Sequence, residues 1–137
     1  MDRRDFIAAG AVAGVAATVA SKNASAAPKK NTFKLKYAPH FGMFENLAGK
    51  DLLDQLQFAS DVGFTAWEDN GMAGRPVEEQ EKIAKKMSQL GMTMGVFVAN
   101  ADFAKKTFVD LKNRDMLVGK LKAALDVAKR VNAKWTT

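Results

Sequence analysis

The chain has 137 residues, 47% hydrophobic and 26% charged positions, and a formal net charge of +6. Those proportions belong to a globular protein and exclude a disordered or collagen-like chain. With no cysteine and a single histidine, His40, the sequence excludes disulfides, thiolate nucleophiles, cysteine-ligated zinc or iron–sulfur centres, and multi-histidine sites.

Residues 1–26 read as an export signal. Arg3 and Arg4 stand together, Asp5 and Phe6 follow, and the run Ile7 to Ala20 carries no charge. Ala24-Ser25-Ala26 is a small-residue cleavage pattern. The apolar run is shorter than the roughly 20 residues a membrane span needs. The paired arginines resemble a twin-arginine (Tat) signal, which implies export to the periplasm and no stable membrane anchor after cleavage. The mature chain then begins at Ala27, with residues 27–33 as a linker.

Phe33 to Ala38 is a predicted strand with Phe33, Leu35 and Tyr37 on one face, ended by Pro39. A helix is expected from Lys50 to Val62, with Leu52, Leu53, Leu56, Ala59 and Val62 as its apolar side and Gly63 as its left-handed stop. Phe64 to Trp67 is a second strand, followed by a turn-rich loop from Asp69 to Arg75. Pro76 suits the first position of a second helix. Its Glu78/Lys82 and Glu81/Lys85 spacings suit ion pairs, Ile83, Met87 and Leu90 form its stripe, and Gly91 stops it.

Met92 to Val98, apolar throughout, is a third strand of the kind covered on both faces. The connection Ala99 to Asn113 carries Phe103, Phe108 and room for a short helix. A third main helix follows from Asp115 to Val131, with Leu117, Leu121, Ala124, Leu125, Ala128 and Val131 as its stripe and Asn132 as its stop. Ala133 to Thr137 opens a fourth strand. Strand–helix–strand units of this size require parallel pairing. That leaves an open doubly wound sheet or a (β/α)8 barrel. The first strand-to-helix loop has no Gly-rich phosphate motif, which weakens the nucleotide-binding version of the open sheet.

In either architecture ligands bind at the C-terminal ends of the strands. The polar residues there are His40, then Glu68, Asp69 and Asn70, then Asn100 and Asp102. Glu68 directly follows a strand and could serve as base, metal ligand or acceptor for a sugar hydroxyl, or as a plain turn residue. His40 could carry a proton or donate to substrate, or be structural. Asn100 could bind a hydroxyl or turn the chain. Phe41, Phe44 and Trp67 could line a sugar pocket, with core packing the favoured role for the two phenylalanines. Met92 and Met94 are packing residues. No metal constellation is complete, because a site needs three or more ligands and only His40, Glu68 and Asp69 or Asp102 stand near. The lysines are scattered, which favours a solvated basic exterior over a nucleic-acid surface.

The segments Tyr37-Ala38-Pro39-His40-Phe41-Gly42-Met43-Phe44 and Asp54 to Met72, the latter holding Ala59-Ser60-Asp61-Val62-Gly63-Phe64 and the strand ending in Glu68, resemble the opening of hydroxypyruvate isomerase-like proteins. These belong to the xylose-isomerase-like TIM barrel superfamily of sugar isomerases and epimerases, and the resemblance covers about Lys34 to Thr137. It implies an α/β fold, a (β/α)8 TIM barrel of which residues 34–137 hold the first three βα units and the start of strand 4. The implied activity is aldose–ketose interconversion or epimerisation through an enediolate stabilised by a divalent metal, Mg, Mn or Zn.

In that family the catalytic glutamates and metal ligands stand on strands of the second half. The resemblance therefore assigns no catalytic residue and no metal ligand here, and it places the catalytic set beyond residue 137. What it suggests is substrate binding by His40, Glu68 and Asn100. The implied partner is a small sugar or hydroxy-carbonyl substrate, without nucleic acid, and homo-oligomerisation is compatible with it. The alternatives are a non-catalytic exported carbohydrate-binding barrel and a nucleic-acid-binding relative of the superfamily's endonucleases. A barrel needs about 250 residues. By that size the chain is expected to hold about half of one, to be inactive alone, and to fold poorly or self-associate with its strand edges uncovered.

Overall fold

The computed structural model describes residues 31–102, 104 and 107–137. The expected signal, its cleavage site and the first part of the linker lie outside the described residues, as does Phe103. The described chain is mixed α/β. Helix α1 is Glu45–Ala48, α2 is Leu52–Val62, β1 is Ala66–Trp67, α3 is Val77–Gln89, β2 is Thr93–Met94 and α4 is Arg114–Val131. Two 3₁₀ turns, Met72–Gly74 and Leu111–Asn113, fall in the connections.

The helix boundaries follow local chemistry. The Asp51 carboxylate accepts from the backbone of Leu53 (2.8 Å) and Asp54 (3.1 Å) and so caps α2. Gly63 ends α2 in the left-handed region at φ 111°, and Asn132 ends α4 there at φ 53°. Pro76 stands just outside α3 and not at its first position. Its ψ of 146° is extended, while its carbonyl accepts from Glu79 and Gln80 and starts the helix. Of the two expected ion pairs on α3, Glu78–Lys82 closes at 2.7 Å. The Lys82 hydrogen bond and charge hold the Glu78 carboxyl below the usual carboxylate range. Glu81 and Lys85 remain exposed.

The strands are shorter than the sequence pattern predicts. Residues 33–38 form no ladder. Leu35 and Tyr37 are 66% and 52% exposed, and Phe33 lies on the ring of Phe64, 4.9 Å between centroids. Pairing begins only at Pro39, whose carbonyl accepts from the Glu68 backbone at 2.9 Å, and continues in a parallel bridge between His40 and Glu68. Proline has no N–H to give, but its carbonyl pairs normally, so Pro39 starts the pairing that it was expected to end. β1 and β2 pair in parallel, Ala66 beside Thr93 and Trp67 beside Met94. Gly95 and Val96 interrupt the expected third strand. Pairing resumes as a single parallel bridge from Phe97 to Thr136, all that forms of the expected fourth strand.

The four segments thus lie side by side in chain order. Trp67 and Met94 share one face of the sheet by register, and both are buried. Around them pack Leu56 and Ala59 from α2, Ile83 and Met87 from α3, Ala124, Val127 and Val131 from α4, and Phe97. All three long helices therefore contribute to the core on that face. On the opposite face Ala66 is buried, Glu68 half-buried and His40 and Thr93 exposed, and among the described residues no helix adds to a core there.

α4 buries part of its expected stripe. Ala124 and Val131 are buried and Ala128 packs on the core, Val127 joins them, and Leu121 and Leu125 are 48% and 59% exposed. α4 packs against α3 and touches both 3₁₀ turns, and the stripe it buries runs at spacing 3 and 4, here 124–127–131, with these two leucines left on its flank.

Gly63 gives the sharpest test of this framework. A Cβ there would meet the Asn31 carbonyl oxygen at 2.1 Å, and φ is already in the region side chains disfavour. Gly63→Ala is expected to lower stability by about 2 kcal/mol or more. Gly91→Ala, with positive φ but open space around it, should cost about 1 kcal/mol. Urea denaturation of the two variants measures the difference.

Candidate functional site

The residues that end the first two strand segments meet directly. Because Trp67 faces the helices, its neighbour Glu68 must face the open side, and the parallel bridge sets His40 beside it. The floor below them is made of small residues. Gly95 lies so close that a Cβ there would sit 3.7 Å from both the Ala38 and Glu68 Cβ atoms and 3.1 Å from the Trp67 carbonyl oxygen. Further along the same side, the Lys36 ammonium donates to the Thr93 hydroxyl at 2.9 Å.

His40 is exposed, and its Nδ1 lies 2.9 Å from the Phe41 carbonyl oxygen. A carbonyl only accepts, so Nδ1 donates to it, which leaves Nε2 for a further partner. Among the described residues, no hydrogen bond is formed by His40 Nε2 or by the Glu68 carboxylate. The turn after His40 is held from α2. Gln55, buried, accepts from the Gly42 backbone at 2.8 Å and donates to the Gly49 carbonyl at 3.1 Å.

Asn100, the third expected contact, is tied elsewhere. Its side-chain oxygen accepts from Lys120 on α4 at 2.6 Å, and its amide nitrogen is buried without a partner among the described residues. Asp102 accepts from the Ala104 backbone at 3.2 Å. Phe41 packs on Trp67 at 4.9 Å, and Phe44 packs among Phe58, Phe64 and Trp67. Trp67 is fully buried, and Phe41 and Phe44, partly buried, pack against the core as expected for the two phenylalanines.

Behind Glu68 stands a network that the sequence reading left as a turn. Asp69 is 5% exposed and accepts from the Gly71 backbone at 3.0 Å. Its carboxylate takes the Arg75 Nε, while Arg75 Nη1 donates to Glu79 at 3.1 Å. The Arg75 guanidinium also lies over the Phe41 ring, 5.0 Å from its centroid. Burial by itself pulls the Arg75 pKa down. The hydrogen bonds and charges of Asp69 and Glu79 outweigh that, and the net shift is upward. Beside it Gln80, also buried, donates to the carbonyls of Met72 (3.0 Å) and Arg75 (2.9 Å) and accepts from Arg130 on α4. The signal for this cluster was present in Asp69-Asn70-Gly71, an Asx-turn pattern, and in the i,i+4 spacing of Arg75 and Glu79.

The family resemblance implies a divalent metal. Among the described residues no three His, Asp or Glu side chains converge into a group able to hold one. His40 and Glu68 supply two donors, and Asp69 is consumed by Arg75. The described residues do not fit a metal centre. What they offer is a carboxylate and an imidazole side by side above a small-residue floor, able to accept from and donate to neighbouring hydroxyls.

Compared with known families, the chain matches no family model, and it matches no curated protein.

Asp69→Ala would leave Arg75 half-buried with only Glu79. Removing one partner of a buried ion pair costs about 3 kcal/mol, and a loss of that order in urea denaturation is the expected result. Asp102→Ala, which removes one exposed loop contact, should change stability by less than about 0.5 kcal/mol.

Proposed function

We propose that residues 34–137 form the opening βα units of a (β/α)8 barrel, and that the open face at His40 and Glu68 binds a small sugar or hydroxy-carbonyl compound. The protein would then be a sugar isomerase or epimerase, hydroxypyruvate isomerase-like in its interconversion of aldose and ketose. The observation that carries this reading is the arrangement of layers. Four parallel segments follow in chain order, and among the described residues the three long helices pack on the Trp67 face. A doubly wound sheet would carry helices on both faces, whereas a barrel wall carries them outside and turns its bare face inward.

In this proposal Glu68 accepts from a substrate hydroxyl, and His40 Nε2 accepts from or donates to the adjacent oxygen. Asn100 is a contact only if the Lys120 bond gives way, so it ranks behind the other two. The divalent metal (Mg, Mn or Zn) and the catalytic glutamates belong, by resemblance, to strands of the barrel's second half. The twin-arginine pattern at Arg3 and Arg4 supports a periplasmic location.

His40 is the chain's only histidine, so its imidazole NMR signal reports on this site alone. Titration with hydroxypyruvate is expected to move that signal saturably. Glu68→Gln should weaken binding about tenfold or more, the loss of one charged hydrogen bond. A signal that stays fixed at millimolar hydroxypyruvate and millimolar small ketoses overturns the reading. In the full reading frame supplied with metal, sugar binding without turnover would favour the carbohydrate-binding alternative.

A further inference from the structure

We infer that Arg75 is a positioning residue that locks the turn carrying His40 to the loop following Glu68 and thereby fixes how the two groups face each other. The sequence places a packing residue directly after each of them, Phe41 after His40 and Asp69 after Glu68. Arg75 engages both at once. Its edge donates to Asp69, and its face lies on Phe41 at 5.0 Å. A third contact, Nη1 to Glu79 at 3.1 Å, anchors the guanidinium to the first turn of α3.

The two segments are also tied directly. Their backbones share the Glu68 N–H to Pro39 carbonyl bond and one bridge, and Phe41 packs on Trp67 at 4.9 Å, ahead of Glu68. Gln55 holds the His40 turn, but from α2 and without touching the Glu68 loop. Arg75 thus supplies a side-chain link between the two ends. It is not a free anion site, because Nε and Nη2 are directed at Asp69 and Nη1 donates to Glu79. Only a planar, forked cation uses edge and face together. Lysine would keep the charge and lose the geometry.

This inference uses the proposed roles of His40 and Glu68 only in its last step, the effect on ligand. The test therefore has a ligand-free arm. Protein carrying ¹⁵N-labelled histidine is compared as wild type, Arg75→Lys and Gly91→Ala. The last strains the turn after α3, with open space around the added Cβ, and so reports general destabilisation. Arg75→Lys is expected to shift or broaden the His40 imidazole signal at full folding by circular dichroism, while Gly91→Ala lowers the melting temperature and leaves that signal in place. With hydroxypyruvate, Arg75→Lys should raise the apparent Kd about tenfold, and Gly91→Ala should leave it unchanged below the melting range.

A folded Arg75→Lys protein with the wild-type His40 signal overturns the inference, as does an equal shift in Gly91→Ala. Should Arg75→Lys fail to fold, Glu79→Gln removes the outer carboxylate charge while Asp69 stays. A smaller signal shift is then expected, and none would count against the inference. Should wild type bind no hydroxypyruvate, the functional reading fails, while the ligand-free signals still decide the role of Arg75.

Discussion

Successive side chains on an extended strand point to opposite faces, and at Trp67-Glu68 that rule governs the molecule. Trp67 is the largest fully buried side chain, and its burial sets the face on which α2, α3 and α4 must lie. Once that face is chosen, Glu68 has only the other side to occupy. A slip of one residue would put the carboxylate into the core and the indole into water, an exchange no helix packing could offset. The open face is therefore a consequence of packing, and its polar pair sits where the strongest hydrophobic anchor leaves it.

The helix stops were legible in the sequence, since Gly63, Gly91 and Asn132 each act through their own backbone, whereas the Asp51 cap, inside a helix expected from Lys50, works through its carboxylate. The strands were less legible. Alternation in Phe33, Leu35 and Tyr37 predicts a face to bury, yet Leu35 and Tyr37 stay exposed and no described strand pairs beside them, and an apolar pattern without a paired neighbour does not make a ladder. On α4 the expected stripe holds at Ala124, Ala128 and Val131 but not at Leu121 and Leu125, for the same reason. Leu121 and Leu125 outrank Val127 in hydrophobicity, but the position of α3 decides which residue is covered.

At the site, His40 and Glu68 could be proposed from their places after strands, whereas their adjacency needed the register. Asn100 shared the same kind of place, but its bond to Lys120 depends on a helix that begins more than ten residues later. The Asp69–Arg75–Glu79 cluster was hidden differently. Its members look like turn and helix-start residues, and each is, but folding brings Arg75 over Phe41 and beside the buried Asp69, where solvent screens their charges less. A buried ionic cluster adds little net stability over an apolar one. Its presence behind a polar pair accords with fixing a direction in space.

The sequential order of the paired segments also bears on how the chain acquires its shape. The His40 segment pairs with β1, β1 with β2, and Phe97 with Thr136, so each backbone pairing joins a unit to the one made just before it. The entropic cost of closing such loops grows only slowly with length and is met one unit at a time. A chain built this way can condense from its N-terminal end as it leaves the ribosome, each helix docking on a ledge already in place.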